Sequence, residues 1–68
     1  MIEDEAAFKR DVMRRLIDAR KSGLSAGKLA NASGYGVGIH MIYDMLEAKQ
    51  FPIEDWETVD RGLKLLGY

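Results

Sequence analysis

The single histidine of the chain, His40, stands four residues before Asp44. On a helix this spacing puts the imidazole and the carboxylate on one face, where they can share a proton as an acid–base pair. The pair offers only two metal ligands, and the chain has no cysteine to add a thiolate. No serine or threonine is placed to act as the nucleophile of such a pair. We therefore expect no enzymatic activity, no metal site and no cofactor.

Two glycine-rich stretches have the residue types of a phosphate-binding loop. NASGYGVGIH carries Gly34, Gly36 and Gly38, but a dinucleotide fingerprint needs G-x-G-x-x-G after a strand, and Ile39 takes the place of the third glycine. GLSAGKL is one residue shorter than a P-loop and has Leu29 where the magnesium-binding hydroxyl belongs. The sequence thus predicts no nucleotide site. The glycines are better explained by a backbone turn or by close approach of two helices.

Length and composition set the class of protein. A chain of 68 residues forms one domain, residues 1–68, with a small core. No apolar run reaches the roughly 20 residues needed to cross a bilayer, and the absence of cysteine fits a reducing compartment. We expect a cytoplasmic protein without membrane contact. Its net charge of −1 hides a dipole, because residues 1–28 carry seven of the ten basic residues.

The apolar spacing predicts an all-α domain, a compact bundle of four or five short helices, and no strand. The first helix ends at Gly23, and Ser25 caps a second helix with the sequence SAGKLANAS. A third helix is expected at about Ile39 to Lys49 and a fourth at about Pro52 to Leu66. The predicted core stripes are Phe8, Val12, Leu16 and Ala19; Leu29 and Ala30; Ile42, Met45 and Leu46, with Ile39 or Val37 closing the near end; and Ile53, Trp56, Val59, Leu63 and Leu66.

The segment GLSAGKLANASG resembles the first half of a helix-turn-helix of the lambda-repressor/Cro-like (XRE-type) family. The matching features are Leu24-Ser25 before the helix, Leu29-Ala30 within it, and Gly34 four residues after the alanine. The segment IYDMLEAKQFPIEDWETVDRGLKLLGY is similar to the close of that family, so the resemblance runs from about Phe8 to Tyr68. It implies a small residue where the next helix crosses and a left-handed glycine in the turn.

The sequence departs from this family at three places. Ala26 replaces the glutamine that usually follows the capping serine. The hydrophobic positions of the third helix come two residues late, so GYGVG is interpreted as a lengthened, glycine-rich turn. The outward face of the third helix has few side chains that read bases, and its Asp44 and Glu47 would repel phosphates.

The resemblance implies a small DNA-binding transcriptional regulator that places its third helix in the major groove of double-stranded DNA. Phosphate contacts are expected at the end of the first helix and the start of the second. Base contacts are expected at the start of the third helix, and further anchoring at its end. The predicted DNA-binding residues are Arg20, Lys21, Ser25 and Lys28; Gly38, Ile39, His40 and Tyr43; and Lys49 and Gln50.

Two further expectations concern protein partners. Because operator half-sites need paired readers, we expect a homodimer, formed through Leu65 and Tyr68 on the last helix. The alternative function is that of a phage-type inhibitor, anti-CRISPR-like or anti-repressor, built on the same helix-turn-helix frame. Its third helix would bind a protein, since an apolar and aromatic face rimmed by acids suits such a partner as well as DNA.

Overall fold

The computed structural model describes residues 3–34 and 36–68 of the chain, and these residues form four helices and no strand. The helices are α1 (Glu5–Lys21), α2 (Ala26–Ser33), α3 (Ile39–Leu46) and α4 (Ile53–Leu65). The expectation of an all-α bundle is confirmed, with four helices rather than five. Within the described part of the chain, no helix combines the length and the apolar character needed to span a membrane.

The core contains most of the residues that the apolar spacing predicts, together with Leu24 and Ala26. Every helix contributes to it, and α4 lies against both α1 and α2. Phe8, Leu46, Ile53 and Leu66 were expected in the core but are only partly buried, because they lie at its edge. The buried apolar residues are Val12, Leu16, Ala19, Leu24, Ala26, Leu29, Ala30, Ile42, Met45, Trp56, Val59 and Leu63.

Side-chain caps start the first two helices. The Asp4 carboxylate accepts a hydrogen bond from the Ala7 N–H at 3.0 Å, and Ser25 Oγ accepts one from the Lys28 N–H at 3.1 Å. These bonds satisfy donors that an uncapped helix leaves without a partner. α3 begins differently, because Gly38 precedes it and has no side chain to form such a bond.

α1 and α4 both end in a Schellman motif, in which a residue of positive φ follows the helix and two backbone N–H groups bond back to the last turn. Glycine occupies the positive-φ position in each, at Gly23 (φ +106°) and Gly67 (φ +87°). The N–H of Leu24 bonds to the Ala19 carbonyl, and that of Tyr68 to the Leu63 carbonyl. Glycine adopts this conformation without steric cost, and the expected end of the first helix at Gly23 is confirmed.

α3 ends at Leu46, three residues before the predicted Lys49. The N–H of Lys49 bonds to the Asp44 carbonyl and that of Ala48 to the Met45 carbonyl, which is again a Schellman motif. Here alanine takes the positive-φ position, with φ +62°. The predicted helix was too long because the residue that ends it is Ala48, and alanine, unlike glycine, does not indicate a helix end.

The glycines between α2 and α3 do not serve as points of close approach. A Cβ added to Gly34, Gly36 or Gly38 would meet no other heavy atom within 4 Å. Gly34 has φ +94° and ψ −165°, a region open essentially to glycine alone, and not the left-handed helical conformation that we expected. Gly36 also has a positive φ, +88°. Tyr35 lies outside the described residues.

The close approach occurs instead between α4 and α2. A Cβ added to Gly62 would collide with Ser33 Oγ and would lie 3.0 Å from the Ser33 backbone. Glycine therefore lets the two helices pack almost backbone to backbone. Gly27 makes a looser contact, where an added Cβ would lie 3.5 Å from the Ile39 side chain.

An ionic cluster joins α1 to α4. Arg15 Nη1 donates to Asp60 Oδ1 at 2.6 Å and to Asp11 Oδ2 at 3.1 Å, and its Nε donates to the Tyr68 carbonyl. Asp60 is buried, only 7% exposed, and also lies 3.1 Å from Lys64 Nζ. Burial opposes protonation of Arg15, but the two carboxylates outweigh it and raise its pKa.

Candidate nucleic-acid interface

The part of the chain that runs from the end of α1 through α2 to the middle of α3 is free of carboxylates. Residues 19–43 include no aspartate or glutamate, but they include Arg20, Lys21, Lys28 and His40. The first turns of α2 and α3 hold no acid, whereas those of α1 and α4 do. The positive ends of the α2 and α3 dipoles are thus left without acidic side chains, and such helix ends attract anions.

The outward side of α3 is apolar and aromatic at its start. Ile39 is 47% exposed and Tyr43 is 45% exposed, and one helical turn separates them. His40 and Gly38 beside them are also exposed. The Ile39 side chain lies close to Gly27 of α2, since a Cβ added to Gly27 would lie 3.5 Å from it. The four residues predicted to touch bases therefore lie together on an accessible surface.

Arg20 connects the end of α1 to this surface. Its guanidinium lies 5.8 Å from the centre of the Tyr43 ring, a cation–π contact, and its Nη1 donates to the Leu24 carbonyl at 2.8 Å. The arginine is partly buried by these contacts. The structure thus brings a predicted phosphate contact next to a predicted base contact, although the two residues are 23 positions apart in the sequence.

Lys21, Ser25 and Lys28 are exposed, as phosphate contacts must be. Ser25 Oγ accepts the bond from the Lys28 N–H, so its hydroxyl proton stays available to donate to an acceptor outside the chain. Lys21 and Lys28 form no ion pair with any residue that the structure describes.

The far end of α3 has a different character. Lys49 Nζ lies 3.1 Å from the Asp44 carboxylate and 3.5 Å from that of Glu47, and these acids raise the pKa of Lys49. Its positive charge is therefore balanced within the chain. Because α3 ends at Leu46, Lys49 and Gln50 do not continue its outward face but line a groove beside α1.

The two residues predicted for a dimer interface are placed unequally. Leu65 is 76% exposed, whereas Tyr68 is 39% exposed and is engaged within the chain. Its hydroxyl lies 2.9 Å from Ser22 Oγ, and its carbonyl accepts the bond from Arg15. Leu65 alone offers an unengaged apolar side chain at this end of α4.

Two features of this surface escaped sequence reasoning. The cation–π contact of Arg20 with Tyr43 depends on the packing of α1 against α3, and no local sequence pattern predicts that packing. The carboxylate-free stretch is visible in the sequence. It was missed because the charges were compared between residues 1–28 and the rest of the chain, and the stretch crosses that boundary. Among the described residues, no group of three or more metal-ligating side chains converges.

No family model, no curated protein and no solved structure matches the chain.

Proposed function

We propose that the protein is a DNA-binding transcriptional regulator that uses α2 and α3 as a helix-turn-helix. The observation that carries the proposal is the carboxylate-free stretch of residues 19–43, which includes the N-termini of α2 and α3 and carries Arg20, Lys21, Lys28 and His40. A surface of this kind suits the phosphate backbone, which supplies most of the affinity of DNA-binding proteins. Because the overall charge is −1, this local concentration of charge is what favours DNA.

In this proposal α2 crosses the DNA backbone. Lys21 and Lys28 neutralise phosphates, and the Ser25 hydroxyl donates to one of them. Arg20 is held against the Tyr43 ring, so its phosphate contact fixes the aromatic side chain as well. Three basic phosphate contacts predict a salt dependence with a slope of roughly −3 in a plot of log affinity against log salt concentration.

α3 enters the major groove by its N-terminal turn. Gly38 presents no side chain and leaves open space above it, so the DNA can come close to the backbone at this point. His40 and Tyr43 donate to base acceptors, and Ile39 packs against a thymine methyl group. Readout of paired half-sites requires a homodimer, for which the exposed Leu65 is the contact we propose.

The test is the affinity for a labelled pool of random-sequence duplex DNA, followed by recovery of a consensus site. Lys28→Ala should weaken binding to all sequences and flatten the salt slope by about one unit. Arg61→Ala is the matched control, because Arg61 is an exposed cation on α4 outside the surface, and it should leave the slope unchanged. Absence of binding by the unaltered protein at about 50 mM salt, where basic contacts are strongest, would contradict the proposal.

A second candidate function is supported by the exposed apolar pair Ile39 and Tyr43. Together with Asp44 and Glu47, which already hold Lys49, they give the outward side of α3 the apolar and acidic character of a protein-binding surface. An inhibitor of the phage type would dock through it. Such a protein would lose its partner on Ile39→Asp or Tyr43→Ala, and its binding would respond little to salt, whereas DNA binding falls steeply.

A further inference from the structure

A groove of about 680 Å³ lies between α1 and the segment that joins α3 to α4. Its floor is apolar, and its rim carries four cations and one acid. The floor residues are Met13, Ile17, Ala48 and Trp56; the charged rim residues are Lys9, Arg10, Arg14, Lys49 and Asp18; and Gln50 completes the lining.

The cations of the rim differ in how far they are balanced. Arg14 lies 2.9 Å from Asp11 and 3.8 Å from Asp18. Lys49 is held by the two acids at the end of α3. Lys9 and Arg10 form no ion pair with any residue in the described part of the chain. The positive charge that no acid balances therefore lies at the end of the groove nearest the N-terminus of α1.

We propose that this groove binds an acidic amphipathic helix of a partner protein. The apolar floor takes the hydrophobic side of such a helix, and Lys9 and Arg10 face its carboxylates. The lining follows α1 from Lys9 to Asp18, a length of about 14 Å, which matches two to three helical turns. This goes beyond DNA binding, because the groove is a separate surface built mainly by α1.

A second copy of the chain fits this groove less well. A symmetric dimer through it would bring two rims with the same basic residues together, and like charges facing each other are unfavourable. An acidic partner removes that repulsion and also balances Lys9 and Arg10. Charge complementarity thus favours a different protein over self-association.

Trp56, the one tryptophan of the chain, forms part of the floor and reports on occupancy. The probe is a synthetic helical peptide with leucines on one side and glutamates on the other. A peptide in which lysines replace the glutamates is its control. We expect a saturable change in tryptophan emission with the glutamate peptide and little change with the lysine peptide. Equal responses to both peptides, or none to either, would overturn the proposal.

The matched variants are Arg10→Glu in the rim and Arg61→Glu on α4, which change the same charge at two exposed arginines. Arg10→Glu should weaken binding of the glutamate peptide roughly three- to tenfold, and Arg61→Glu should leave it unchanged. Equal effects of the two would show a general charge effect and refute the site. Circular dichroism of both variants verifies that they are folded.

Two further measurements separate the remaining outcomes. Lys28→Ala removes a contact on which the proposed DNA binding depends, but it should not alter the peptide titration. The two proposals can therefore fail independently. Sedimentation of the unaltered protein tests self-association through the groove. A dimer that Met13→Glu dissociates and Leu65→Glu does not would assign the groove to a second copy and overturn the proposal.

Discussion

The α1–α4 pair and the α2–α3 pair are built on different principles. α1 and α4 have 17 and 13 residues and acids in their first turns, and a glycine of positive φ follows the C-terminus of each. α2 and α3 have eight residues each, no acid in their first turns and large exposed apolar groups on α3. Helices this short are marginal alone. The short helices therefore depend on their packing against α1 and α4 for stability, and we propose their outward side as the surface that contacts a partner.

The ionic link of the long pair gives the largest expected effect. Asp60→Ala leaves Arg15 largely buried without its main partner, since the arginine side chain is only 15% exposed. We expect a loss of about 3 kcal/mol in the free energy of unfolding, measured with urea. Asp18→Ala removes an exposed carboxylate from the same α1 and should change stability by less than about 0.5 kcal/mol. Similar losses for both variants would show that the buried Arg15–Asp60 pair contributes no more to stability than an exposed ion pair.

The joint between the two pairs comes next. Gly62→Ala forces α4 away from Ser33 of α2, because the added Cβ collides with it. The expected loss is about 2 kcal/mol in thermal or urea unfolding. Gly27→Ala places its Cβ at an ordinary distance of 3.5 Å from Ile39, so better helix propensity should make it neutral or slightly stabilising. If Gly62→Ala is tolerated as well as Gly27→Ala, α2 and α4 do not pack as closely as described.

The short pair should respond in binding and not in stability. Tyr43→Ala and His40→Ala each remove an exposed side chain, and each should weaken specific DNA binding by about 1–3 kcal/mol. Binding to unrelated sequences should change little, and the free energy of unfolding should shift by less than about 0.5 kcal/mol. Arg61→Ala serves as the control, because Arg61 is exposed on α4 outside the surface. If the loss of stability equalled the loss of affinity, the exposed residues of α3 would serve stability as much as binding, which would contradict the contrast between α2–α3 and α1–α4.

The smallest effect has the opposite sign. Ala48→Gly relieves a residue held at φ +62° at the end of α3 and should stabilise the protein by about 0.5–1 kcal/mol. Ala32→Gly, inside α2, should destabilise it by a similar amount. Thermal unfolding of the two variants compares them directly. Two destabilised variants would show that Ala48 is not strained.

Local patterns predicted most of the fold. The apolar stripes found the helices and the buried core, and Gly23 and Ser25 marked an end and a start. The end of α3 was missed because an alanine occupies the position where glycine would announce a Schellman motif. The role of Gly62 was also missed. Close approach of two helices is a tertiary fact, and nothing around this glycine in the sequence signals it.

The candidate site was predictable only in part. The exposed side of α3 follows from subtracting its core stripe, so His40 and Tyr43 were placed correctly on the surface. Either Ile39 or Val37 was expected to close the core, and the structure packs Val37 there and leaves Ile39 exposed. The balance of Lys49 by Asp44 and Glu47 depends on where α3 ends, and that end was misjudged. The stacking of Arg20 on Tyr43 requires the packing of α1 against α3. Whether these residues bind DNA stays a prediction.

The bond between Arg15 and Asp60 spans 45 positions of the chain, and α2 and α3 lie entirely inside the loop that it closes. Closing a loop of this length costs roughly 3 kcal/mol of chain entropy, and this cost is met once, when the chain folds. We therefore expect α3 to open and close locally while this bond stays formed. Amide hydrogens of α3 should therefore exchange with solvent through local openings, while those in the centre of α1 wait for global unfolding.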